Sequence, residues 1–207
     1  MKKCILITSY LEGKIKDLID VDADDYIICA DGGYDLAVAE GITPSIVIGD
    51  FDSARLPVSP GLKTLTVPAK KDLTDTALCI DHAVEQGFTN LIIVGGIGGR
   101  LDHTIANIQN VFSSMEKGIS ALMVDAKNIV MALINTSTIL PAKPGYKLSL
   151  FSFSQVCRGV TASGVAYPLQ DHTLNAHFPL GVSNEITQEE AFIQVTDGEL
   201  LVILSKD

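Results

Sequence analysis

The chain is short of basic residues. Fifteen Lys and Arg stand against 25 Asp and Glu, a formal charge of −10, and no basic run is longer than Lys70-Lys71. Phosphates and anionic lipid heads would be repelled by such a balance, so neither a nucleic acid nor a membrane surface is expected as a partner. Cysteine is sparse too: Cys4, Cys29, Cys79 and Cys157 are separated by 25, 50 and 78 positions, with no CxxC pair and no histidine at zinc-ligand spacing. That excludes a zinc ribbon or a disulfide scaffold and leaves buried thiols in a reducing, cytoplasmic setting as the expectation. Long apolar runs are missing. The longest uncharged stretch of the second half, residues 128–142, is fifteen residues and contains Asn135, Thr136, Ser137 and Thr138, short of the roughly 18–20 apolar residues of a membrane span. The apolar stretch before Glu12 is too brief for a signal-peptide core, so export is not expected. Several catalytic signatures are absent as well. There is no GxSxG elbow, no HExxH and no Gly-Lys-Ser/Thr of a P-loop, and after Gly96-x-Gly98 the third glycine position of a dinucleotide fingerprint is Leu101. Covalent nucleophilic catalysis therefore has little support.

What is present is ordinary globular composition over 207 residues, 47% hydrophobic, enough for one domain or two small ones without staples. Short β-branched runs alternate with helical patterns through the first 125 residues or so, the mark of βαβ units and a parallel sheet. Strands are predicted at 4–8, 26–30, 45–48, 65–67, 91–94 and 121–124, apolar enough to be covered on both faces. A helix is predicted over 73–86, capped by Asp72 and stopped by Gly87. A second is predicted over 103–117, capped by Asp102, with Ile105, Ile108, Phe112 and Met115 as its core stripe. From about Asn135 the texture changes to period-two alternation, and Asp197-Gly198 between two apolar runs signals a hairpin. The fold class expected is α/β: a Rossmann-like parallel-sheet domain over 1–138, then a small all-β, sandwich-like domain over 139–207.

In an open parallel sheet ligands bind beyond the carboxyl ends of the strands. Those ends run into Asp31-Gly32-Gly33, Gly49-Asp50-Phe51-Asp52-Ser53, Lys70-Lys71-Asp72-Leu73-Thr74-Asp75 and Gly95-Gly96-Ile97-Gly98-Gly99-Arg100. Four loops on one edge would gather Asp31, Asp50, Asp52, Asp72, Asp75 and Asp102. So many carboxylates repel one another unless a cation compensates, and magnesium, which takes carboxylates together with substrate phosphates, is the natural one. The glycine loop allows a phosphate to approach backbone amides, and Arg100, Lys70 or Lys71 can neutralise its charge. Metal, phosphate and a second substrate are the parts of phosphoryl-type transfer or hydrolysis.

The segments DGGYDLAVAEGITPSIVIGDFDS (31–53), KKDLTDTALCI (70–80), GGIGGRLDHTIANI (95–108) and GVSNEI (181–186) resemble the thiamine pyrophosphokinase family over nearly the whole chain. The resemblance implies transfer of an intact diphosphoryl group from ATP to the hydroxyl of thiamine, giving thiamine diphosphate and AMP, with Mg2+, in a homodimer. By motif match Asp50, Asp52 and Asp75 would be metal ligands, with Asp31 and Asp72 nearby, and Arg100 and Asp102 would contact nucleotide or thiamine. Gly32, Lys71 and Thr74 fall in the same binding segments. The loop Gly95, Gly96, Gly98, Gly99 would face the ATP phosphates, while Ser183 and Asn184 would reach thiamine from the other subunit. Asp72 or Asp102 could accept the proton of the alcohol. No tryptophan occurs, so the C-terminal Trp that some relatives set against thiamine must be replaced, with Phe178 and Tyr167 as candidates, or have no counterpart. A magnesium-dependent diphosphohydrolase, another kinase, or a non-catalytic sensing module are the competing readings.

Overall fold

The computed structural model describes residues 3–50, 56–67 and 73–207. The chain divides into two compact units, Met1–Ala126 and Lys127–Asp207. The first unit runs β1 (Cys4–Ile7), α1 (Ile15–Leu18), β2 (Tyr26–Ala30), α2 (Gly33–Ala39), β3 (Ile46–Gly49), β4 (Thr64–Thr66), α3 (Asp75–Glu85), β5 (Asn90–Val94), α4 (Leu101–Glu116) and β6 (Ser120–Val124). Its strands are parallel, in the order β4-β3-β2-β1-β5-β6. The chain steps outward from β1 through β2, β3 and β4, then returns to the other side of β1 with β5. The sheet therefore changes direction between β1 and β5, which is where an open α/β sheet leaves a crevice at its carboxyl edge. β1 and β3 are buried at every position, as uninterrupted apolar strands must be. β4 departs from that expectation. All three of its residues are exposed, because among the described residues it is the edge strand and pairs with β3 alone.

Both longer helices begin differently from the sequence reading. α3 starts at Asp75, and its cap is Thr74, whose side chain accepts from the Ala77 N–H at 3.2 Å; Asp72 lies outside the described residues. α4 starts at Leu101 with Arg100 in the cap position and no side-chain cap, so Asp102 is inside the first turn. The buried face of α4 is Asn107, Val111, Phe112 and Ser114, whereas Ile105 is 50% exposed. Apolar periodicity misplaced that face because two buried positions are polar and hydrogen-bonded: Asn107 to the Gly96 carbonyl and Ser114 to the Val111 carbonyl.

The second unit is all β: β7 (Asn128–Ile134), β8 (Ser137–Pro141), β9 (Lys147–Ser152), β10 (Val156–Ser163), β11 (Leu169–Asn175), β12 (Gly181–Asn184), β13 (Glu190–Gln194) and β14 (Glu199–Ser205). The antiparallel arrays β12-β9-β14-β7 and β11-β10-β13-β8 enclose one core, in which Leu148, Leu150, Val202 and Leu204 of one meet Cys157, Val160, Ala191 and Ile193 of the other. The uncharged stretch 128–142 is β7 and β8, so this unit begins at Lys127 rather than at 139. Asp197-Gly198 makes no hairpin: β13 pairs with β8 and β10, β14 with β7 and β9. The turn carries the chain between the two arrays and is held by Arg158, which exchanges backbone hydrogen bonds with Asp197 and pairs with its carboxylate at 2.9 Å. No helix among the described residues is long and apolar enough to cross a membrane.

Candidate active site

At the carboxyl edge of the first unit's sheet lies a cleft of about 490 Å³. The tail of β1 contributes Thr8, Ser9 and Tyr10, β2 leads to Asp31, β3 to Asp50, and β5 to Gly96 and Gly98; Thr74, Asp75 and Thr76 enter from the start of α3, and Arg100, His103, Ala106 and Asn107 from α4. A larger recess of about 590 Å³ runs past Tyr34, Ser45, Ser59 and Lys63. It sits where β3 and β4 begin, and among the described residues no carboxylate lines it.

Asp31 is the group under most constraint. Its backbone is left-handed, φ +46°, its residue surface is 5% exposed, and its Oδ1 is buried with no hydrogen-bond partner among the described residues. The conformation is set by the main chain. The Asp31 N–H donates to the Ile48 carbonyl at 2.9 Å, and the Asp31 carbonyl accepts from the Tyr34 N–H at 3.1 Å as α2 begins. Strain and an unsatisfied buried acceptor at one residue each disfavour the free protein and persist where a ligand uses them.

The glycine loop folds over the end of β1. At Gly95, φ +84°, a Cβ would lie 2.2 Å from the Tyr10 carbonyl oxygen, so only glycine lets the loop close there. The Tyr10 ring, 44% exposed, lies against Gly98 and Gly99, and the Gly98 N–H donates to Thr104 Oγ1 at 3.0 Å. Arg100 forms a two-pronged pair with Asp102, Nε to Oδ1 at 3.1 Å and Nη2 to Oδ2 at 2.6 Å. The hydrogen bond from Arg100 holds the Asp102 carboxyl below the usual carboxylate range, and the same contact raises the Arg100 guanidinium. A carboxylate so engaged is a weaker base, and Asp102 does not line the cleft although Arg100 and His103 do.

Of the residues singled out from the sequence, Asp31, Asp50, Thr74, Asp75, Gly96, Gly98 and Arg100 line one cleft. Gly32 and Gly95 are buried behind it and Gly99 lies under Tyr10. Asp52, Lys70, Lys71 and Asp72 lie outside the described residues, and among the described residues no three Asp, Glu, His or Cys side chains converge as a metal cluster. In the second unit the amide of Asn184, expected to reach a substrate, is spent at home. It accepts from the N–H of Tyr167 and of Glu185 and donates to the Tyr167 carbonyl at 2.7 Å. Ser183 is exposed at φ +59°. The sequence reading missed Thr8, Ser9, Tyr10, Thr76 and Asn107; the first three follow β1 and obey the same carboxyl-end rule that was applied to the other strands.

A model of the thiamin pyrophosphokinase catalytic domain matches residues 20–123, and one of the thiamin pyrophosphokinase vitamin B1 binding domain matches residues 136–200. The chain is 30% identical over 218 residues to the thiamine pyrophosphokinase of Bacillus subtilis (strain 168), covering 100% of both. The crystal structure of a B. subtilis thiamine pyrophosphokinase superposes with a TM-score of 0.86 at 26% identity, covering 100% of each chain. That of the Geobacillus thermodenitrificans thiamin pyrophosphokinase gives 0.83 at 26% identity, covering 100% of this chain and 98% of that one.

Proposed function

This chain belongs to the thiamine pyrophosphokinase family and its reaction is the family's, transfer of the diphosphoryl group of ATP to the hydroxyl of thiamine with release of AMP; we propose that the reaction runs in the cleft between β1 and β5. The observation that carries this assignment is the meeting of a buried Asp31 oxygen, without a partner among the described residues, with Asp50, Asp75, the glycine loop and Arg100 around one cavity. Its carboxyl side suits cations, and its glycine side, with Arg100, suits phosphates.

The donor set fits Mg2+. Hard oxygen ligands from carboxylates are what it takes, and a cleft lined by Asp31, with an oxygen that has no partner among the described residues, and by Asp50 and Asp75 offers them. Asp50 and Asp75, with Asp52, would hold the ion, and Asp31 would complete their negative field. When bound, it supplies charge neutralisation and alignment of the phosphates. The chain's own part is positional. Arg100 presents a planar fork to phosphoryl oxygens once Asp102 gives up one prong, and Asp102 keeps that fork aimed from one turn of α4. Asp72 rather than Asp102 takes the proton of the alcohol in this reading, since Arg100 already engages the Asp102 carboxylate.

The reading extends to a homodimer with Ser183 offered to thiamine bound by a second copy. Tyr167, Phe178, Leu180 and Val182, near Ser183 in the second unit, are 73%, 63%, 45% and 43% exposed, the kind of apolar patch that a partner covers. Four free, buried cysteines suit a reducing cytoplasm. The test is Mn2+ titration followed by electron paramagnetic resonance, with ATP present, on the wild type, Asp50→Asn and Asp75→Asn. Weakened Mn2+ binding in both variants with unchanged circular dichroism is expected. Wild-type affinity in both would overturn the metal assignment.

A further inference from the structure

Asn107 is a buried polar side chain of the cleft to which the reaction assigns no part. It is 7% exposed, and its Nδ2 donates to the carbonyl oxygen of Gly96 at 2.9 Å. On the far side of the same loop, Thr8 Oγ1 lies 3.1 Å from the Val94 carbonyl and 3.2 Å from the Tyr10 carbonyl, and the Gly96 N–H donates to the Tyr10 carbonyl at 2.8 Å. The loop is threaded between the end of β1 and α4 with no room to spare. A Cβ on Gly96 would stand 2.7 Å from Asn107 Nδ2 and 3.3 Å from Thr8 Cγ2.

The direction of this hydrogen bond matters for an anion. The Gly96 carbonyl and the Ile97 N–H belong to one trans peptide plane and point opposite ways. Holding the carbonyl against α4 therefore turns the Ile97 N–H away from the helix, and among the described residues that N–H has no hydrogen-bond partner. Were that plane to turn over, a carbonyl oxygen would stand where the donor now stands, which repels phosphate; the Asn107 hydrogen bond to the Gly96 carbonyl opposes that turn.

We propose that Asn107 is a positioning residue for ATP: by holding the Gly96 carbonyl it fixes the Gly96–Ile97 peptide plane and keeps the Ile97 N–H, which the fold does not spend internally as it does those of Gly96 and Gly98, available to the phosphates. This rests on the reading that the loop faces ATP. Asn107 acts through the loop and touches no reacting atom.

The test is steady-state kinetics of Asn107→Asp, which keeps the shape but puts an oxygen against the Gly96 carbonyl, with ATP and thiamine varied separately and melting followed in parallel. The KM for ATP should rise about tenfold, the scale of one lost buried hydrogen bond, with kcat and the thiamine KM changed far less. Asn107→Ala creates no oxygen–oxygen contact, gives the same split at smaller amplitude, and serves where the aspartate variant does not fold. An unchanged ATP KM in a folded variant overturns the inference, as does a parallel rise in both KM values, which marks a merely structural role. If the folded wild type forms product with no saturable dependence on ATP, the reading of the loop fails first and the inference with it.

Discussion

Replacing Asp31 by Asn should make the protein more stable and less active. Asp31 holds a left-handed backbone, and its buried Oδ1 has no partner among the described residues. Both backbone hydrogen bonds of the residue, to Ile48 and from Tyr34, are independent of the side chain, so the substitution leaves the β2–α2 turn intact. Asn tolerates the left-handed region as well as Asp does, which leaves the buried acceptor as the quantity that changes. An unsatisfied buried polar group costs about 1–3 kcal/mol, more when charged. Removing the charge while keeping a carbonyl oxygen recovers part of this, about 1 kcal/mol, or a rise of roughly 2–4 °C in melting temperature for a chain of this size. The assay is differential scanning calorimetry without and with Mg2+ and ATP, alongside turnover. Without ligands the variant should melt higher than the wild type. With them the wild type should gain more, because a bound cation is favoured by the negative charge that the variant lacks. A variant that melts lower without ligands would refute the reasoning, since it would mean that the carboxylate already has a stabilising partner in the free protein.

Thr74→Ala removes the side-chain cap of α3 and should cost about 1 kcal/mol in urea unfolding; an unchanged midpoint would show that the cap contributes nothing. Arg100→Ala should raise the KM for ATP while leaving the melting temperature where it is, because the Arg100–Asp102 pair is exposed, 72% and 65% at the two side chains; a drop in melting temperature would move Arg100 into the fold. Asp25 gives a pH test. Burial opposes its ionisation, but the N–H groups of Asp22 and Lys3 and the Lys3 ammonium outweigh it, so its carboxyl titrates below the ordinary value. A depressed carboxyl stabilises above the unfolded value, near 4, and loses that contribution as pH falls through the folded one. Asp25→Ala should therefore cost about 1–3 kcal/mol at pH 7, with the gap to wild type closing below about pH 4; a gap independent of pH would contradict the assignment.

The first unit was legible because buried parallel strands are written as continuous apolar runs, so β2 begins and ends where the sequence placed it, and the carboxyl-end rule then located Asp31, Asp50 and Asp75 together. Polar residues doing buried work were not legible in that way. Asn107 and Ser114 occupy the inner face of α4 because each finds a carbonyl, and a periodicity of apolar residues cannot show that. Asp197-Gly198 carries the composition of a hairpin turn, yet the strands that it joins pair elsewhere, since turn chemistry sets the local bend and side-chain burial decides the partner. The sequence pointed to Asn184 as a ligand and could not show that its amide also brackets Tyr167, a contact that depends on a neighbour seventeen positions away.

The most direct test of the central claim is phosphorus NMR of the purified protein mixed with ATP, thiamine and Mg2+, repeated with Asp75→Asn. The expected result is AMP and thiamine diphosphate in equal amounts, formed only when both substrates and the metal are present, and lost in the variant. Formation of ADP or free phosphate in place of AMP, or wild-type turnover in Asp75→Asn, would contradict diphosphoryl transfer in this cleft.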